Sequence, residues 1–292
     1  SSREWMTGSD FGCGPDEKIV SASRIIIVRG GGLGDFLLTL PVVFEALSRY
    51  EEVVLFTKSG YRELLTGDLK KVRVLDLDGE WDKLRSLAKE SELITFWKDS
   101  AWLKESEGYN LRKLHTLEPR PTSEPHVTKA MFERLDWRIS SETLCAPWLG
   151  DRWNPGNDTR WIHPGSGSPE KNAPFALFER RAREWLDRTP NSSVVFSFGE
   201  ADESVLSLAR ASELSTHSRV RLKTFETLGS FKNALVESAS NFVGNDSGPC
   251  HLASMLGIPT DVFFRSTNPM VWKPLGPRVR VYLDDSGANR IL

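Results

Sequence analysis

Three short polar stretches hold the residues able to do chemistry. The first is Gly30-Gly-Gly-Leu-Gly-Asp35, which follows the apolar run Arg24–Val28 and opens a helical pattern. A loop at that junction meets the free N–H groups of a helix N-terminus, where phosphates often bind. The dinucleotide template G-x-G-x-x-G places Gly30 and Gly32 but requires glycine where Asp35 stands. The second run also ends in Thr57-Lys58, without the acid that would hold a ribose diol. NAD binding is therefore not expected. Asp35 has two readings. It can cap the helix and favour its dipole, or it can act as a general base, taking the proton of a hydroxyl as that oxygen attacks.

The second stretch, His163-Pro-Gly-Ser-Gly-Ser-Pro-Glu-Lys171, also follows an apolar run. Gly165 and Gly167 let a ligand approach the backbone. Ser166 and Ser168 supply hydroxyls and Lys171 a cation, a set suited to a diphosphate. Glu170 stands where a Walker A loop needs glycine, so the loop is not of that type. The third stretch, Val243-Gly-Asn-Asp-Ser-Gly-Pro-Cys-His-Leu-Ala253, is the most specific. Asp246 or Ser247 can cap the helix and Pro249 fits its first turn. The turn's N–H groups, with Ser247 and Gly248, can grip phosphate, and His251 one turn later can donate to it. Asp246 can brace the loop or bind a sugar hydroxyl.

Positioning these stretches requires strands that end at them. Arg24–Val28, Val53–Phe56, Val72–Leu75 and Leu93–Trp97 read as short buried strands, with helices between them. In the first helix Leu37, Leu40, Phe44 and Leu47 recur at spacings of three and four. After an irregular stretch from Asp99 to Pro125, the segment Pro147–Asp158 reads as a linker. A second alternation then runs from Arg160 to Leu283. Its expected strands are Arg160–His163, Ser193–Phe198, Asn241–Gly244, Thr260–Phe264 and Val279–Leu283. The expectation is an α/β chain of two doubly wound, Rossmann-like units facing across a cleft. Residues 1–23 form a flexible tail, 24–150 the first domain and 151–292 the second.

The 292 residues carry a net charge of -2, which disfavours a nucleic-acid partner. The three cysteines, Cys13, Cys145 and Cys250, are far apart, and no histidine has metal-ligand spacing. No disulfide framework and no bound metal are expected, and a reducing cytoplasm fits. No apolar run reaches the ~20 residues of a membrane-spanning helix. The ten tryptophans read first as core residues.

Together these motifs resemble glycosyltransferase family 9, the heptosyltransferase-type family. Ile25–Pro41 resembles its opening strand, Gly-Asp pair and helix start. His163–Pro174 resembles its H-P-G-S loop, Gly244–Pro259 its G-x-D-S/T-G-x-x-H-L-A helix start, and Trp272–Gly276 its closing W-x-P-x-G element. The resemblance implies a GT-B fold and inverting sugar transfer without a metal or other cofactor. Asp35 would be the base, with Gly34 on the acceptor side. Ser166, Gly167, Ser168, Lys171, Asp246, Ser247, Gly248 and His251 would hold the donor, a nucleotide-diphosphate sugar such as ADP-heptose. Glu200 would meet the donor's nucleoside. The acceptor would be a cell-surface glycan or lipopolysaccharide core, bringing a cytoplasmic enzyme to the inner face of the membrane. Two departures stand out. Arg265 replaces a usual glycine, and no long closing helical segment is expected after Leu283. The second departure motivates another reading, a non-catalytic nucleotide-sugar-binding protein, and a nucleotide-sugar epimerase of similar build is a third.

Overall fold

The computed structural model describes residues 23–283 and 290–291, so the expected tail lies almost wholly outside the described residues. The chain opens with β1 (Arg24–Val28), α1 (Leu33–Arg49), β2 (Glu52–Thr57) and β3 (Arg73–Asp76). It continues through α2 (Leu84–Ala88), β4 (Glu92–Thr95), α3 (Ser100–Glu107) and β5 (Lys113–Thr116), then α4 (Val127–Arg134) and α5 (Ser141–Leu144). The second alternation is β6 (Thr159–His163), α6 (Phe175–Leu186), β7 (Ser193–Phe198), α7 (Glu203–Ala211) and β8 (Val220–Thr224). After these come α8 (Leu228–Ser238), β9 (Ala239–Asn245), α9 (Gly248–Met255), β10 (Thr260–Phe264), α10 (Pro269–Trp272), β11 (Val279–Leu283) and β12 (Arg290–Ile291).

Two sheets result. The first is parallel, in the order β3-β2-β1-β4-β5. The second has the order β12-β11-β10-β9-β6-β7-β8, with β12 alone antiparallel. Both are doubly wound about their first strand, giving the two Rossmann-like units of a GT-B fold. In each sheet the winding reverses beside that strand, between β1 and β4 and between β6 and β9. The carboxyl ends of the strands at such a reversal leave a crevice that ligands use.

The strands are buried on both faces, as parallel sheets require. Ile25, Ile26 and Ile27 are fully buried. Each such side chain stabilises the fold by about 1.5–3 kcal/mol. The central helix α1 is covered on every side along Phe36–Val43. One side meets the first sheet and another meets α9. A single apolar cluster therefore runs from Ile25 and Leu37 through Leu149 to Leu252 and Met255. The expected linker is stitched to the second unit. Leu149 N–H donates to Met255 O, Arg152 N–H donates to Leu256 O, and Arg278 donates to both Asp151 carboxylate oxygens at 3.1 Å.

The reading of the sequence missed α3 and β5, inside the stretch expected to be irregular, and also β8. These edge pieces are short and polar. β5 reads Lys-Leu-His-Thr and β8 Val-Arg-Leu-Lys-Thr, with exposed or half-buried side chains at most positions. An edge strand covered on one side needs no continuous apolar run.

Candidate active site between two helix N-termini

Asp35 stands in the first turn of α1. Its Oδ2 accepts from Gly32 N–H at 3.1 Å, so the capping reading is correct as far as it goes. Its Oδ1 lies 3.3 Å from Arg29 Nη2. Arg29 is nearly fully buried, and its Nε also donates to Asp35 O and Thr39 Oγ1. The guanidinium lies over the Phe96 ring, 4.0 Å from its centroid. Burial pulls the Arg29 pKa down, Asp35 partly restores it, and Arg120 pushes it lower again. Tyr61 closes the other side. Its phenol is pushed up to about 12, first by burial and then by the Asp35 charge. Simple capping requires no buried cation, so the arrangement fixes Asp35 beyond what a cap needs.

The phosphate-type stretches converge at the carboxyl edge of the second sheet, after β6 and β9. Asn245, fully buried at the end of β9, organises the first of them. Its Nδ2 donates to Pro164 O at 2.8 Å, and its Oδ1 accepts from Ala173 N–H at 2.8 Å. Asp202 braces the same loop from behind. It accepts from Gly199 N–H and pairs with His163 at 3.2 Å. Burial raises the Asp202 pKa, but His163 and the Gly199 N–H outweigh it and hold the carboxyl below its usual value. Asp202 also explains Gly165, where any Cβ would stand 1.9 Å from its Oδ1.

The candidate residues do not all point the same way. The Ser166 hydroxyl is turned into its own loop, donating to Ser168 O at 2.6 Å and accepting from Ser168 N–H. Gly167 is exposed with open space around it. Lys171 reaches Asp246 Oδ2 at 3.3 Å rather than standing free. Glu200 is exposed on the short turn after β7, and the buried acid of that turn is Asp202.

Asp246 is the charged hub. Besides Lys171 it accepts from Thr267 Oγ1 at 2.5 Å and lies 3.7 Å from His251 Nε2. Burial pushes its pKa up, but His251, Lys171 and Thr267 prevail and the carboxyl is held low. Two buried polar atoms beside it have no hydrogen-bond partner, His251 Nδ1 and Ser247 Oγ. Native interiors rarely leave such atoms unpaired. At the start of α9 the Gly248 N–H has no acceptor within its helix. Orphaned donors at a helix N-terminus fit an anionic ligand.

The two halves of the site touch. A Cβ at Gly34 would stand 3.1 Å from His251 Cδ2, and one at Gly248 would stand 2.6 Å from Leu33 Cβ. The expected gap between Asp35 and the third motif is closed, helix end against helix end. The sequence reading missed Arg29, Tyr61, Asn245, Thr267 and Asp202. Arg29 carried a signal, a charge placed directly after a buried strand and six residues before the acid. Asn245 likewise precedes the motif acid. Thr267 had none, since only the fold brings it to Asp246.

Residues 159–290 match the model of glycosyltransferase family 9 (heptosyltransferase). The chain carries a glycosyltransferase family 9 domain. It is a glycosyltransferase, and every donor-side candidate from Ser166 to His251 falls in that domain, while Asp35 lies ahead of it. Solved structures of similar fold include a family 9 glycosyl transferase from Veillonella parvula, with 16% identity and a TM-score of 0.68 over 91% of this chain and 88% of that one. The E. coli ADP-heptose lps heptosyltransferase II matches at 16% identity and a TM-score of 0.64, over 88% of this chain and 89% of that one. E. coli heptosyltransferase WaaC, solved with ADP, matches at 15% identity and a TM-score of 0.62, over 90% and 93%. A comparison with curated proteins found no match. These likenesses agree with the two-unit fold.

Proposed function

We propose that this glycosyltransferase moves a sugar, heptose by its likeness to the E. coli enzymes, from a nucleotide-diphosphate donor such as ADP-heptose to a hydroxyl of a glycan or lipopolysaccharide core. The observation that carries this reading is the meeting of two helix N-termini, one holding Asp35 and the other the orphaned His251 Nδ1.

The chemistry is a single displacement with inversion. The acceptor oxygen attacks the anomeric carbon while Asp35 takes its proton. The bond from that carbon to the diphosphate oxygen breaks, and the nucleoside diphosphate leaves with the electron pair. The Gly248 N–H, Ser247, His251 and Lys171 stabilise the growing negative charge. Ser168 and Gly167 flank the diphosphate through the loop backbone, and Glu200 on its exposed turn meets the nucleoside. Arg29 holds the Asp35 carboxylate in place through its ion pair. Charge stabilisation by these groups supports a reaction without a bound metal. A lipopolysaccharide acceptor would put the enzyme at the cytoplasmic face of the inner membrane. Among the described residues no helix is long and apolar enough to cross a membrane.

The test is nucleotide release from a panel of nucleotide sugars, with and without a deacylated lipopolysaccharide core oligosaccharide. The expected result is acceptor-dependent release of ADP, with the product anomer inverted by NMR. Failure of every nucleoside diphosphate to bind would overturn the reading. Acceptor-independent turnover would favour an epimerase.

A further inference from the structure

The first sheet reverses its winding between β1 and β4, and the residues that follow these two strands face each other across that point. Arg29 and Gly30 follow β1, and Phe96 and Trp97 follow β4. A Cβ at Gly30 would stand 3.9 Å from Trp97 Nε1 and 3.6 Å from Leu77 Cδ2. Trp97 is half-buried, so part of its ring stays open. Among the described residues nothing accepts from its indole N–H, and the indole N–H of Trp102 behind it is buried without a partner. The ring is held by two others, Trp81 with centroids at 5.3 Å and Trp102 edge-on at 5.1 Å. Trp102 is nearly fully buried and closes the back of the group. Trp81 is half-buried and leans on Phe56 at the end of β2.

Trp97 and Trp81 pack against the apolar cluster of Ile26, Val28, Phe56 and Trp102 and cover its outer end. Trp97 stands two residues past the end of β4, at the carboxyl edge of the sheet where ligands bind in such folds. It adjoins the glycine turn that carries Asp35. A rigid flat apolar face with a free N–H at its rim matches a pyranose ring, which presents axial C–H groups to an aromatic face and hydroxyls at its edge. A negatively charged group is a poor occupant for the face itself, and the second unit supplies the diphosphate site.

We propose that Trp97, backed by Trp81 and Trp102, is the platform on which the acceptor's sugar ring lies while its hydroxyl faces Asp35. This rests on the reading of the chain as a sugar transferase with Asp35 on the acceptor side. It makes Trp97 a specificity-determining residue for the acceptor and irrelevant to the donor.

The test labels the protein with 5-fluorotryptophan and identifies the Trp97 resonance through Trp97→Phe. Deacylated lipopolysaccharide core oligosaccharide and ADP are then titrated separately. The oligosaccharide is expected to shift the Trp97 signal saturably, and ADP to leave it unmoved. A signal unmoved by the oligosaccharide, or moved by ADP alone, overturns the platform. In kinetics, Trp97→Ala is expected to raise the acceptor KM about tenfold at unchanged donor KM, and Trp97→Phe to restore most of it. An unchanged acceptor KM in Trp97→Ala, or equal losses in both variants, overturns it as well. Absence of transfer by the unaltered enzyme would sink the transferase reading, and the fluorine titration judges the platform without turnover.

Discussion

Gly34 lies against the His251 imidazole so closely that a Cβ at position 34 would come within 3.1 Å of the ring. Where the starts of α1 and α9 meet, the Leu33 and His251 side chains already fill the contact, and each lies against a glycine of the other helix. The helix that carries Asp35 approaches the histidine of the donor motif this closely because position 34 is glycine.

The two glycines of this contact should differ in tolerance. A Cβ at Gly248 would stand 2.6 Å from Leu33 Cβ, a contact that forces a backbone shift, whereas at Gly34 the obstacle is a ring edge. Gly248→Ala is expected to cost about 1–3 kcal/mol as overpacking and to open the two units. Gly34→Ala should cost less. Thermal melts and the radius of gyration from small-angle scattering check both, and equal behaviour would contradict the packing described.

Asp35→Asn keeps the shape of the side chain and removes its basicity. A loss of roughly 10²–10⁴ in kcat is expected with ADP affinity unchanged. Arg29→Met strips the buried partner from the carboxylate. It should lower stability by about 2–4 kcal/mol, at the low end for a broken buried pair because Asp35 keeps some water contact. Activity near that of the unaltered enzyme in Asp35→Asn would remove the acid from the reaction.

Lys171 is pre-positioned by Asp246 rather than free. Lys171→Met leaves the low-pKa Asp246 carboxylate with only Thr267 and His251 beside it, next to an incoming diphosphate. ADP affinity should fall roughly 10–100-fold, the worth of a charge-assisted contact plus the new repulsion. Calorimetry with ADP reads this directly, and an unaltered Kd would rule out the lysine as a donor contact.

His126 links the two units. Its Nδ1 accepts from Thr128 N–H and its Nε2 faces Lys273 O at 2.9 Å, so the ring is neutral with its proton on Nε2. Burial is the main force that lowers its pKa from 6.5 to about 4; the hydrogen bond to the Lys273 carbonyl opposes it, and nearby His251 and the Lys273 charge add to it. The unfolded chain therefore binds the extra proton first as pH falls. Stability is full above pH 6.5 and declines toward pH 4, by about 3 kcal/mol at most. His126→Gln keeps a donor for the Lys273 carbonyl and should flatten this slope in urea melts at pH 4.5 and 7. A slope of the same size in the variant would assign the acid sensitivity elsewhere.

The central strands and the three polar stretches were legible in the sequence because their signals are local. A parallel strand buried on both faces reads as a run of apolar residues, as Ile25–Val28 and Val262–Phe264 do, and the loop that follows it is marked by glycine and polar side chains. The helix that starts at Gly248 announced itself through Pro249 and the polar turn before it, although neither Asp246 nor Ser247 caps it with a side-chain hydrogen bond as the sequence led one to expect. The tertiary structure alone decided which of these groups meet. No pattern in the chain places Thr267 on Asp246, turns the Ser166 hydroxyl inward or chooses Asp202 over Glu200 as the buried acid. Nor does any spacing separate Trp97, at the edge of the sheet, from the tryptophans inside it. Hydrophobic periodicity is fixed between near neighbours along the chain, whereas the partners of a charge or an aromatic face are set by the order of strands, which joins residues many tens of positions apart.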